Sequence, residues 1–128
     1  MSQNIVIEYY SIIRNKINQR QLNSALSSIS KLLCNYPSDE VGYYYRGVCE
    51  FALNRHPQAI NSFLTALKFN PGFAKAYFNL GVTYLMLTQY DLALINIAKA
   101  LIIFSKQKEQ DNKQRCIEAL KIIEKERG

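Results

Sequence analysis

Apolar and polar positions along the chain resolve into seven amphipathic segments, which predict helices over roughly 3–19, 22–35, 40–53, 57–69, 74–87, 90–106 and 111–126. Turn-forming residues fall between them: Tyr36-Pro37-Ser38, His56-Pro57, Asn70-Pro71-Gly72 and Thr88. Thr88, with Asp91 three residues on, is patterned as a capping box, its hydroxyl expected on an orphan amide at the next helix start. The stretch LALINIAKALIIF is interrupted by Asn96 and Lys99 and reads as a helix buried on one face, not as a membrane span. In the last segment Cys116, Ile117, Leu120 and Ile123 make one stripe and Lys, Glu, Arg and Gln fill the rest. That pattern predicts a helix closing the end of a stack, packed on Ala93, Ile97 and Leu101.

The segments repeat. A shift of 34 residues aligns Ala25, Ala59 and Ala93; Ile13, Gly47 and Gly81; Leu32, Ala66 and Ala100; and Pro37 with Pro71. Small residues recur where two helices must approach closely, and bulky ones (Tyr43 and Tyr77, Phe63 and Ile97) recur between them. A period of this length is that of a stacked array of helical hairpins. The first hairpin breaks the pattern with Ile13 and Lys16, so its helices are expected to pack less closely. The third lacks its closing proline, with Ser105 in that place, so its second helix is expected to run on by a turn.

Residues 74–101, AKAYFNLGVTYLMLTQYDLALINIAKAL, resemble the tetratricopeptide repeat through Tyr77, Leu80, Gly81, Tyr84, Ala93 and Ala100. The middle stretch keeps Gly47, Ala59, Phe63, Ala66 and Pro71 of that signature. The resemblance implies an all-α, right-handed superhelix of three helix-turn-helix hairpins, at about 6–39, 40–73 and 74–107, and a C-terminal solvating helix at about 111–126. Residues 1–128 would then form a single domain. It also implies a concave groove lined by the first helix of each hairpin. The family's variable groove positions fall on Tyr10, Arg14 and Ile17; on Tyr44, Tyr45, Val48 and Phe51; and on Lys75, Phe78, Asn79, Val82, Leu85 and Met86.

Such a groove would capture a protein or peptide client, anchored by Tyr10, Tyr44, Tyr45, Phe78 and Met86 and oriented by Arg14 and Lys75. Val48, Val82 and Leu85 also read as core at helical spacing. Family members that hold acidic chaperone tails use a clamp of lysine, asparagine, asparagine, lysine and arginine. The matching residues here are Tyr10, Arg14, Tyr45, Lys75 and Asn79, of which only Lys75 agrees. The groove therefore looks more like those that hold an apolar extended or helical client segment, as in bacterial secretion chaperones and assembly factors. The C-terminal KALIIFSKQKEQDNKQRCIEALKIIEK also looks like the ends of some cyanobacterial and plastid repeat proteins, photosystem assembly factors among them.

Composition narrows the reading. The net charge of +6 is spread: +3 over residues 1–37, zero over 38–72, +1 over 73–105 and +2 beyond. Nucleic-acid binding favours a concentrated basic stripe, so an RNA-contacting accessory role ranks third. Three cysteines, Cys34, Cys49 and Cys116, are odd in number, share no metal-ligand spacing and are expected as reduced, buried thiols. The sole histidine, His56, precedes Pro57 at a helix start and suits a turn or capping role. With no phosphate loop, H-E-x-x-H or G-x-S-x-G, the expectation is no catalytic residue, no metal and no cofactor.

Arg46 and Glu50 lie four apart on one helix face where the family has bulky apolar residues, as a structural ion pair between repeats or as a charged notch reading a ligand. The N-terminal MSQNIVIEYYSIIR has no basic start and no long apolar run, so no signal peptide is expected. Heavy use of Ile, Asn, Lys and Tyr points to an AT-rich genome, bacterial or organellar, and the compartment would be the cytoplasm, or an organellar stroma if the chain is plastid-encoded. The reading is a non-catalytic adaptor or assembly chaperone. Its alternative is a structural subunit whose groove is permanently buried in a larger complex or homo-oligomer.

Overall fold

The computed structural model describes residues 2–128, and among them the chain is all-α, with seven helices and no strand. They are α1 (Ser2–Asn18), α2 (Leu22–Asn35), α3 (Glu40–Ala52), α4 (His56–Phe69), α5 (Ala74–Met86), α6 (Tyr90–Lys106) and α7 (Gln110–Arg127). The chain divides into two compact units, one running to Phe69 and the other spanning Asn70–Gly128.

Two kinds of turn punctuate the helices. Between α1 and α2, α3 and α4, α5 and α6, and α6 and α7 the central loop residue takes a left-handed backbone: Arg20, Asn54, Thr88 and Lys108, with φ near +60°. After α5 the Gln89 N–H donates to the Tyr84 carbonyl (2.9 Å) and the Thr88 N–H to the Leu85 carbonyl (2.9 Å). This paired closure satisfies the last carbonyls of the helix, and a glycine usually occupies the left-handed position. The same pair of bonds closes α1, α3 and α6. The other kind of turn carries proline. The Asp39 N–H donates to the Tyr36 carbonyl, and the Phe73 N–H to the Asn70 carbonyl, each at 3.1 Å. Pro37 and Pro71 then stand at the second turn position, where a fixed φ costs nothing.

These turns correct the expected capping box. Thr88 ends α5 instead of starting α6, so its hydroxyl is held by the neighbouring Leu87 carbonyl (2.7 Å). The residue that caps α6 is Gln89, which makes no side-chain cap bond. His56 begins α4, with Pro57 in the first turn, where a helix needs no amide donor. Ser105 lies inside α6, which runs to Lys106 and then enters α7 by the left-handed turn instead of a proline turn.

In the unit ending at Phe69 the core holds Ile13, Leu22, Ala25, Ile29, Leu32 and Cys49, joined by Tyr9, Tyr36 and Leu53 at its margin. Phe63 is fully buried, and a Cβ added at Gly47 would sit 2.5 Å from its ring. In the second unit Gly81 meets Ile97 as closely, 2.4 Å from a hypothetical Cβ to Cγ1. The α1–α2 pair, where Ile13 replaces the glycine, has the thinnest helix contact of the three hairpins. α7 closes the second unit by setting Cys116, Ala119 and Ile123 against Ala93, Ile97, Ala100 and Phe104. Leu120 and Leu101 pack at that margin, whereas Ile117, expected in the stripe, lies outside the cluster.

Burial of the thiols is a second correction. Cys49 and Cys116 are buried, but Cys34 is exposed on α2 because it falls two residues past Leu32, on the opposite side of the helix.

Candidate functional site

The proposed groove residues divide between the units. α1 contributes Tyr10, Arg14 and Ile17, and α3 contributes Tyr44, Tyr45, Val48 and Phe51. None of the seven is fully buried, Arg14 is exposed, and the rest are half-buried. The rings form a connected aromatic surface: Tyr10 meets Tyr45 edge-on at 6.2 Å, Tyr45 meets Tyr44 at 5.7 Å, and Tyr44 leans on core Phe63 at 6.0 Å. Such offset and edge contacts suit the ring quadrupoles. Phe51 packs against His56 at 5.1 Å, at the far end of α3.

Tyr10 also has a fixed structural partner. Its hydroxyl donates to Asp39 Oδ1, while Asp39 Oδ2 accepts the Gly42 N–H at 2.8 Å and so caps α3. Burial first, and then the Asp39 carboxylate, push the Tyr10 phenol well above its usual range. Burial also raises Tyr45, against an opposing pull from the Arg14 charge.

In the second unit α5 carries Lys75, Phe78, Asn79, Val82, Leu85 and Met86. Phe78, Val82 and Leu85 rest half-buried on the α5–α6–α7 core, whereas Lys75 is exposed and Met86 is 57% exposed. Val82 and Leu85 thus serve the core and retain part of their surface, as does Val48 on α3. A residue outside the expected set joins them: the Arg115 guanidinium of α7 stands over the Phe78 ring, 5.2 Å from its centroid. The 34-residue register sets Arg115 at the place of Gly81, a close-packing position, and so gave no reason to expect it at this ring.

Arg46 and Glu50 make no direct pair. Arg46 Nε donates to Ser62 Oγ (2.8 Å), and Ser62 in turn donates to Glu50, so a buried hydroxyl on α4 joins the two. Arg46 also lies 4.8 Å from the Tyr43 ring centre. The contact runs within one hairpin, not between repeats, because both side chains point at α4. In the first hairpin Lys16 donates to Ser28 (2.7 Å), the residue in register with Ser62. Among the described residues, no three His, Cys, Asp or Glu side chains gather to hold a metal, and no helix is long and apolar enough to cross a membrane.

Comparison with known proteins places this geometry. The family profile of the TPR repeat matches residues 49–87. The "Uncharacterized protein ycf37" of Guillardia theta is 33% identical over 90 residues, which cover 66% of this chain. The matched region is 51% of that protein, so the chain spans about half the length of this relative. Among solved structures, PcrH in complex with the chaperone binding region of PopD is similar with a TM-score of 0.90 at 16% identity, covering 100% of this chain and 97% of that one. The TPR2B-domain:pHsp70 complex of yeast Sti1 is similar with a TM-score of 0.88 at 16% identity, covering 94% and 97%. At such identities the likeness is one of fold, and the fold is that of helical repeats.

Proposed function

We propose that this tetratricopeptide-repeat protein is a non-catalytic adaptor or assembly chaperone that holds a peptide segment of a client on the first-helix surfaces of its hairpins. The reading treats residues 1–128 as one functional domain of three repeats and a closing helix. The observation that carries it is the connected set of half-buried rings on α1 and α3, Tyr10, Tyr45 and Tyr44, beside the exposed Arg14. Rigid aromatics near a cation are what interface hot spots are made of. On α5 the half-buried Phe78 and the exposed Met86 offer a second such surface next to Lys75.

Two solved structures of similar fold support it, since both are complexes, PcrH with the chaperone binding region of PopD and the Sti1 domain with pHsp70. The Guillardia theta relative supports the organellar option for its compartment. Only Lys75 matches the clamp for acidic chaperone tails, so an apolar or amphipathic client segment suits these surfaces better.

Affinity capture with the wild-type chain beside a Tyr44→Ala, Phe78→Ala double variant tests the reading. The client is the protein lost with the variant, and its purified segment should bind with each single substitution costing about 1 kcal/mol or more. Undiminished binding would count against the surface. A collapse of the melting temperature in the variants would assign those rings to the core.

A further inference from the structure

Phe78 and Arg115 are joined by more than proximity. A guanidinium lying over an aromatic face is attracted by the ring quadrupole, and its N–H groups point outward in its own plane. The ring therefore holds the Arg115 head group at the α5 side of α7. Among the described residues Arg115 makes no hydrogen bond and no ion pair, and it is exposed. The acidic residues nearest in sequence do not take it: Asp111 and Glu118 lie outside ion-pair distance, and the Glu118 carboxylate faces Gln114 (3.5 Å).

One turn earlier on each helix stand Lys75 and Asn112, which line a common cleft of about 270 Å³ with Asn70 and Phe104. Glu109 borders the same cleft, but its carboxylate accepts from Asn112 Nδ2 at 3.2 Å. Lys75 makes no ion pair either. The seam between α5 and α7 thus presents an apolar ring flanked by two cations that, among the described residues, no carboxylate pairs with directly.

Resting on the proposed function, we infer that Arg115 is a specificity-determining residue of the client surface, and that the segment held there carries an acidic side chain beside an apolar one. The apolar group packs at Phe78, and the carboxylate takes the outward fork of Arg115, a planar two-bond pairing that a lysine cannot reproduce. α7 then has two roles, closing the core through Cys116 and Ile123 and reading charge through Arg115.

The test uses the full chain and two short synthetic fluorescent peptides, one rich in Leu and Phe with two Glu, the other identical with Gln in their place. Anisotropy titration should give the Glu peptide about tenfold tighter binding, the scale of one hydrogen bond to a charged group. Arg115→Gln should abolish that preference and Arg115→Lys restore only part of it. Arg127→Gln removes the same charge from the same helix at its pairing with Asp91 and should leave the preference intact. Equal binding of both peptides by the wild type would overturn the inference and leave the groove reading standing. So would a preference that survives Arg115→Gln, or one that Arg127→Gln weakens equally. Binding of neither peptide would defeat the groove reading and this inference together.

Discussion

The hairpins α3–α4 and α5–α6 meet the same packing requirement with different interiors. Each seats a bulky side chain on a glycine, Phe63 on Gly47 and Ile97 on Gly81. One turn on they part. The middle hairpin buries the Ser62 hydroxyl between Arg46 and Glu50, while in the third the Glu50 position is Tyr84 and the Ser62 position is Asn96. The Asn96 amide turns back on its own helix, donating to the Leu92 carbonyl at 2.8 Å. The first hairpin offers a third version, Lys16 on Ser28. The register therefore decides which positions are buried, and the residues there vary as long as the partner varies with them. A buried polar group without a partner loses its hydration for nothing.

The largest break in this comparison comes from removing α7, which only the second unit has. Deletion after Gln110 should cost that unit at least about 3 kcal/mol by exposing the face under Cys116 and Ile123, and promote self-association. Size-exclusion chromatography and thermal melts would read both, and a monomeric, equally stable truncation would refute the closing role. Next, Gly47→Val and Gly81→Val should each cost about 2 to 3 kcal/mol, since both collide with a fully buried neighbour. A clear inequality between them in denaturant titrations would show that one interior yields more readily.

Glu50→Ala should cost about 1 to 2 kcal/mol by stranding the Ser62 hydroxyl and Arg46. Replacing Glu50 and Ser62 together by Tyr and Asn, the pair of the third hairpin, should be less damaging than Glu50→Tyr alone in a double-mutant cycle.

The smallest effect is a gain. Thr88 is β-branched and left-handed at φ 57°, so Thr88→Gly should add about 1 kcal/mol, while Asn54→Gly at the equivalent turn should change little because asparagine tolerates that region.

A pH series separates the thiols as well. Burial, reinforced by Glu50, pushes the Cys49 thiol up to about 11 from an ordinary 9.0. The unfolded chain then loses this proton first, so the Cys49 contribution to stability is intact below about 9 and declines as pH rises towards 11. Alkylation of the folded chain at neutral pH should mark Cys34 and spare Cys49 and Cys116.

Much of the fold was legible because a repeat states its own alignment. Ala25, Ala59 and Ala93, and Leu32, Ala66 and Ala100, all lie at 0% exposure. Less legible was anything decided by partners across helices. The spacing of Arg46 and Glu50 suggested attraction along one helix, whereas the hydroxyl that joins them is on another, sixteen residues from Arg46. Thr88 carried a capping pattern that the left-handed turn overrode, since closing α5 needed that residue first. Arg115 stayed hidden because the register sets it at the place of Gly81, and only the packing of α7 brings it to Phe78.

Asp39 holds Tyr10 with one carboxylate oxygen and starts α3 with the other. A ligand that drew the Tyr10 phenol away would remove one of the two bonds that orient this carboxylate, leaving the Gly42 amide as its remaining partner. Occupancy at α1 would then be felt at the start of a different helix. Hydrogen exchange at the Gly42 amide is the clock on which it would be read.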